Sequence, residues 1–236
     1  LWLGPCQEDV PFSRAIHPTT WRPWWSFGCG GLGDIGCHTI DTAYWALGLG
    51  APDKVEVDMT EKANPIHTPN GSTVTYKFPS RGSQPAVDVK WIEGPRLPKA
   101  PTGYDWAIKG NGGFIMVGEK GGISHDGMRP NSPRLYPKSR WEDYRKNANE
   151  RVPKTLKRVP GIHNDWVNGI RNSEMTVSDF SYSGPLTESI ILGTLAIRTG
   201  KGLEWSAKDM KISGNKEAAA LIDVEARKGW RPSDLV

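Results

Sequence analysis

Between residues 54 and 92 three short runs carry a strict two-residue rhythm, and that rhythm constrains the fold more than any other feature. Val55, Val57 and Met59 alternate with Glu56 and Asp58, and Val87, Val89 and Trp91 alternate with Asp88 and Lys90. Successive side chains of a strand point to opposite faces, so this is the pattern of a sheet buried on one side only. Strands are expected at 54–59, 72–78 and 86–92, with Asn70-Gly71 as a turn before the second. Shorter strands are expected at 113–117, 122–125 and 133–136, flanking Gly118-Glu119-Lys120-Gly121, and another at 203–205. Helical periodicity is read at 34–47, weakly at 139–147, then at 164–172, 187–199 and 216–225. The helix at 34–47 stops at Gly48, and the one at 187–199 opens after Gly184-Pro185. Strands cluster in the middle and helices flank them. The expectation is therefore α+β, with a half-buried antiparallel sheet, in a single domain spanning 1–236.

Residues 1–27 read as an extended Trp- and Pro-rich lead-in, because Pro5, Pro11, Pro18 and Pro23 forbid a continuous helix. Of 11 Trp, four (Trp2, Trp21, Trp24 and Trp25) stand in this stretch. Their ordinary use is core or interface packing, and their alternative use is a platform for stacking sugar rings. With 27 Gly and 19 Pro the chain is unusually rich in turns and shaped loops.

Charge excludes more than it suggests. A net charge of +4 from 30 basic and 26 acidic residues gives no case for nucleic acid. The basic cluster Arg151, Lys154, Lys157 and Arg158 reads as a solvated loop. No apolar run is long enough for a membrane helix, so no membrane partner is expected. Cys6, Cys29 and Cys37 make no C-x-x-C pair, and Cys29, Cys37 and His38 lack a fourth ligand, so neither disulfide framework nor metal is expected. The start, Leu1-Trp2-Leu3-Gly4-Pro5, has no Met and no signal-peptide layout, and reads as part of a longer chain. A cytoplasmic location is the default, with export left open.

Gly28-x-Gly30-x-x-Gly33 matches the dinucleotide fingerprint, but the preceding Trp21-Arg22-Pro23-Trp24-Trp25-Ser26-Phe27 is not a buried strand. No cofactor-binding residue is assigned to it. The helix behind it carries chemistry. At about 100° per residue, Asp34, His38, Asp41 and Trp45 fall near 0, 40, 340 and 20°, while Gly36, Ile40, Ala43 and Leu47 take the opposite side. Imidazole is suited to proton transfer near neutral pH, and a neighbouring carboxylate can orient it. The plain alternative is a hydrated helix face with no task. Near the third helix, His163, Asp165 and Trp166 read best as a capped start, with Asn164 or Asp165 as the cap.

From Trp21-Arg22-Pro23-Trp24-Trp25 through Gly33-Asp34-Ile35-Gly36-Cys37-His38-Thr39-Ile40-Asp41, the chain resembles the second domain of the Gfo/Idh/MocA oxidoreductases. The resemblance continues through Asp165-Trp166, Gly184-Pro185-Leu186-Thr187-Glu188 and Leu203-Glu204-Trp205. It implies a large, open, mostly antiparallel sheet with helices packed on one face, forming the C-terminal substrate-binding and oligomerising domain of an NAD(P)-dependent enzyme acting on a hydroxyl of a sugar, cyclitol or related polyol. It further implies His38 and Asp34 as the catalytic pair, with His38 taking the hydroxyl proton while hydride leaves for the nicotinamide. Asp41, Trp45, Trp24, Trp25 and Arg22 would border the substrate, and the open sheet would join copies of the chain. The E-K-P lysine motif and the strand–Gly-rich loop–helix unit of the family are missing from this sequence. NAD or NADP is therefore expected only in a complete protein with its own Rossmann domain, and none on this chain, which alone would be inactive. Two other readings remain open: an NAD-dependent glycoside hydrolase of the same fold, and a non-catalytic glycan-binding or assembly module.

Overall fold

The structure is a computed structural model and describes residues 2–107, 112–147 and 151–234. Leu1 of the expected lead-in, and both ends of the expected 1–236 span, lie outside the described residues. Along the chain come α1 (Gly30–Leu47), β1 (Lys54–Met59), β2 (Ser72–Phe78), β3 (Val87–Ile92), β4 (Gly113–Gly118), β5 (Gly121–Asp126) and β6 (Arg134–Tyr136). They are followed by α2 (Lys138–Lys146), α3 (Ile162–Asn172), α4 (Phe180–Thr199), β7 (Leu203–Ser206), β8 (Lys211–Ser213) and α5 (Lys216–Ala220). The chain divides into two compact units, Leu1–Lys99 with Glu188–Val236, and Ala100–Thr187. The mixture of antiparallel sheet and helices is the α+β architecture read from the sequence.

The first unit is built on a five-stranded antiparallel sheet in the order β3-β2-β1-β7-β8. Val55 pairs with Tyr76, Val57 with Val74, and Tyr76 with Val89, so the alternating apolar residues meet on one face. That face buries Val55, Val74, Tyr76, Phe78, Leu203 and Trp205. Leu32, Ile40 and Tyr44 of α1, with Ile190, Ala196 and Ile197 of α4, are the helical share of this unit's core. α1 and α4 approach closely: a Cβ on Gly36 would lie 3.5 Å from Ile190 Cγ1, and one on Gly193 2.8 Å from Leu32 Cδ2. The other face of the sheet is polar. Lys54 pairs with Glu56 at 2.9 Å, and Lys77 with Asp88 at 2.6 Å. Those bonds lower the Glu56 carboxyl and raise the Lys77 ammonium from their ordinary pKa values.

Two ties close the ends of the unit. Buried Asn215 caps α5, accepting from Ala218 N–H at 3.0 Å, and donates to Thr199 Oγ1 at 2.9 Å and Lys201 O at 3.2 Å. Arg227 clasps the lead-in: Nε donates to Cys6 O at 2.7 Å, Nη2 to Glu8 O at 2.9 Å, and its backbone N–H to Pro5 O at 3.0 Å.

The second unit holds the three-stranded antiparallel sheet β4-β5-β6 with α2 and α3. Tyr136 is buried there and donates to Met116 O at 3.2 Å. Asp165 does not cap α3. It lies inside the first turn, buried, and accepts from Val177 N–H at 2.8 Å, while Gly161 takes the cap position.

Several boundaries differ from the sequence reading. α4 starts at Phe180, well before Pro185, because Asp179 caps it: Oδ1 accepts from Ser181 N–H at 2.8 Å and the carbonyl from Tyr182 N–H at 3.0 Å. α5 stops at Ala220, short of the expected residue 225. β8 was not foreseen, since Lys-Ile-Ser offers a single apolar residue and no alternation to read. α1 begins at Gly30, inside the stretch expected to be a loop.

Candidate functional site

The Trp-rich lead-in ends in a tight loop that seats the start of α1. Gly28 N–H donates to Trp24 O at 2.7 Å, and Gly30 N–H to Arg22 O at 3.0 Å. Glycine is required at Gly28, where a Cβ would lie 2.3 Å from Arg22 O, and at Gly30, whose φ is 70°. The loop is stitched to the segment before β2 by Trp25 N–H on Ile66 O at 3.0 Å and Thr68 N–H on Pro23 O at 2.8 Å.

α1 then presents the expected stripe. Leu32, Gly36, Ile40 and Tyr44 are its buried side, so Tyr44 takes the place expected of Ala43 and Leu47, which are half-buried. His38 is exposed, Trp45 is 50% exposed, and Asp34 and Asp41 are half-buried. Arg22 Nε stands 2.7 Å from Asp34 Oδ2, with the two side chains 41% and 35% exposed. The N–H is not aligned for a hydrogen bond, so this is an ion-pair contact, and at that exposure it stabilises by at most about 1 kcal/mol. The guanidinium also donates to Thr19 O at 3.2 Å and lies 5.6 Å from the centre of the Trp21 ring. No hydrogen bond or ion pair reaches the His38 side chain among the described residues. Asp34 is thus engaged by Arg22 and not by the imidazole one turn on.

Trp24 and Trp25 are turned to other work. Trp25 Nε1 donates to Asn64 O at 2.8 Å, and Arg198 lies 5.6 Å from its ring centre. Trp24 Nε1 donates to Ala15 O at 2.8 Å, and its ring meets His67 edge-on at 6.0 Å. Trp24 and Gly31 line a cleft of about 480 Å³ together with His67, Asn70 and Glu93. His67 and Glu93 are residues that sequence reasoning passed over. Glu93 Oε1 accepts from buried Ser72 Oγ at 2.8 Å. The Asn64 side chain fixes the His67 tautomer. Its Oδ1 accepts Ile66 and His67 N–H at 2.8 and 3.3 Å, so its Nδ2 must donate to His67 Nε2 at 3.0 Å, leaving Nδ1–H to donate to Thr68 O at 2.9 Å. The Asn64-Pro65 pair was the available signal, a turn that sets the next residues.

The Gly-rich loop does not suit a nucleotide. No strand feeds it, its backbone is bound to Arg22 and Trp24, and the Glu93 carboxylate stands at the helix start where a pyrophosphate would need to lie. Burial raises the Cys29 thiol pKa, with Arg198 acting against the rise. Among the described residues no group of three or more His, Cys, Asp or Glu is placed to hold a metal ion, and no helix is long and apolar enough to cross a membrane.

A model of the GFO/IDH/MocA C-terminal domain matches residues 6–124, half of the chain and the part that carries α1, the cleft and β1 to β3. The chain belongs to this family. Among solved structures, an oxidoreductase from Agrobacterium radiobacter, crystallised with NAD+, L-tartaric acid and magnesium, is similar over 72% of this chain and 48% of that one. The identity is 15% and the TM-score 0.34, and this GFO/IDH/MocA domain chain spans about half of that protein's length. No curated protein matches.

Proposed function

We propose that this chain is the substrate-binding and oligomerising domain of an NAD(P)-dependent oxidoreductase acting on a hydroxyl of a sugar, cyclitol or related polyol. The observation that carries the reading is the solvent-facing stripe of α1 in a chain of this family: an exposed imidazole between two carboxylates, with an indole at the end. His38 takes the proton of the reacting hydroxyl, and having no protein partner, both its nitrogens are open to substrate. Asp34, steadied by Arg22, accepts a neighbouring hydroxyl. Asp41 and Trp45 border the ring, and Trp24, Trp25 and Arg22 shape the loop beside it. The nicotinamide nucleotide has no fitting cradle among the described residues, so its binding is assigned to another part of a complete protein, and this chain alone is inactive. The polar outer face of the five-stranded sheet is assigned to self-association.

The test is His38→Ala in the complete protein. Loss of a general base lowers turnover by about 10²–10⁴-fold, read as kcat at saturating polyol. A variant that keeps its rate would remove His38 from the chemistry. Saturable NAD binding by the 236-residue chain at micromolar concentration would defeat the division of labour.

A further inference from the structure

The cleft beside Trp24 lies at the end of the same stripe that carries His38. Gly31, one of its walls, precedes Asp34 by three residues, and on a helix that spacing puts the two on one face. From Gly31 to His38 the helix rises about 10 Å, at roughly 1.5 Å per residue. That is the span of two linked sugar rings. Helical spacing therefore puts the cleft at the N-terminal end of the line that carries Asp34 and His38.

The walls state what the cleft accepts. Trp24 has its N–H tied to Ala15 O, and His67 has both ring nitrogens satisfied, so these rings offer surfaces and not hydrogen bonds. Glu93 has one oxygen on Ser72, while Oε2 meets no hydrogen-bond donor among the described residues. The Asn70 side chain is exposed and likewise unengaged, its backbone N–H being held by Glu61 Oε1 at 2.6 Å. The carboxylate is the only charged group of the lining and repels anions. A fixed aromatic wall, one free carboxylate oxygen and one free amide suit a neutral ring bearing hydroxyls, which donates to Glu93 and exchanges bonds with Asn70. Walls already held in place cost little to order on binding.

The geometry points to a substrate of at least two units, a neutral glycoside whose second ring occupies the cleft while the reacting ring lies along Asp34 and His38. This rests on the polyol reading of α1. The cleft supplies affinity for the extended substrate and sets its direction along the helix.

The test is titration of the 236-residue chain with cellobiose, maltose, lactose and sucrose, and with methyl glucoside and methyl galactoside, by calorimetry. At least one disaccharide is expected to bind about ten-fold more tightly than either methyl glycoside, the worth of one hydrogen bond to a charged acceptor. Glu93→Gln, which keeps an oxygen for Ser72, should erase that advantage. Asn70→Ala, at an exposed side chain, should reduce it without disturbing the fold. Equal affinities for both sugar classes, no binding of any disaccharide, or an advantage indifferent to both variants would overturn the proposal. An advantage lost in Glu93→Gln but untouched, like methyl glycoside binding, by His38→Ala would uphold the cleft and defeat the α1 reading instead.

Discussion

Gly193 stands inside α4, where exchanging glycine for alanine ordinarily stabilises a helix by about 1 kcal/mol. Here the opposite is expected. An added Cβ would lie 2.0 Å from Tyr76 Oη and 2.8 Å from both Tyr76 Cζ and Leu32 Cδ2. Carbon contacts settle near 3.5–4.0 Å, so more than an ångström has to be found. Tyr76 cannot give it, being 1% exposed and locked in register between Val55 and Val89. Overpacking costs about 1–3 kcal/mol and this clash belongs at the upper end, so the net loss is about 2 kcal/mol after the helix gain. At roughly 2–4 °C per kcal/mol for a chain of this size, Gly193→Ala should lower Tm by about 4–8 °C in calorimetry. Tyr76→Phe is the second arm. Its hydroxyl is buried with no hydrogen-bond partner, and burial pushes its pKa up, so removing the hydroxyl forfeits no bond. Alone it should change stability by less than about 1 kcal/mol. In that background Gly193→Ala loses its worst contact and should cost less than it does alone. Independent effects of the two substitutions, or a higher Tm for Gly193→Ala, would refute the close packing of α4 on Tyr76 of β2.

Burial, aided by the charge of Glu188 and opposed by a Ser189 hydrogen bond, pushes Tyr44 from 10.0 to about 12. The unfolded chain ionises first, so this contribution is whole below about pH 10 and is lost as the pH rises through 12. Tyr44→Phe should flatten the fall of the urea midpoint over that window, and an unchanged slope would deny it. Asn215→Ala removes a helix cap and strands buried partners, about 2–4 kcal/mol by urea unfolding. Asn215→Asp keeps the cap and should fall between. Self-association through the Lys54, Glu56, Lys77 and Asp88 face should weaken as salt shortens the screening length to about 3 Å at 1 M. A sedimentation equilibrium insensitive to salt would move the interface elsewhere.

How much could be read in advance followed from how local each signal was. β1 and β2 were legible to the residue because one buried face forces alternation, and α1's stripe because its period is intrinsic to the helix. Gly48 ended α1 as foreseen, with φ at 55°. The early start of α4 was hidden because Gly184-Pro185 is the stronger local mark of a helix start, while the cap at Asp179 lies a turn and a half before it. The cleft was illegible for another reason. Trp24, His67 and Glu93 come from a loop, the approach to β2 and the exit of β3, and only sheet register brings them together. The Arg22–Asp34 contact was concealed although the two lie close in sequence, because it depends on the loop turning back at Gly28.

The Arg227 clasp orders events in time. Its partner carbonyl on Cys6 is 221 positions away, about the most non-local pairing this chain can make. During synthesis the first unit's strands β1 to β3 can pair long before Arg227 emerges, but residues 5–9 have no such anchor until it does. Residues 5–9 therefore dock last, whereas the Trp21–Trp25 loop can already be held by Asn64, Ile66 and Thr68. A ribosome stalled before Arg227 would carry a formed sheet with residues 5–9 still open to proteases, whereas one stalled beyond it would carry both protected.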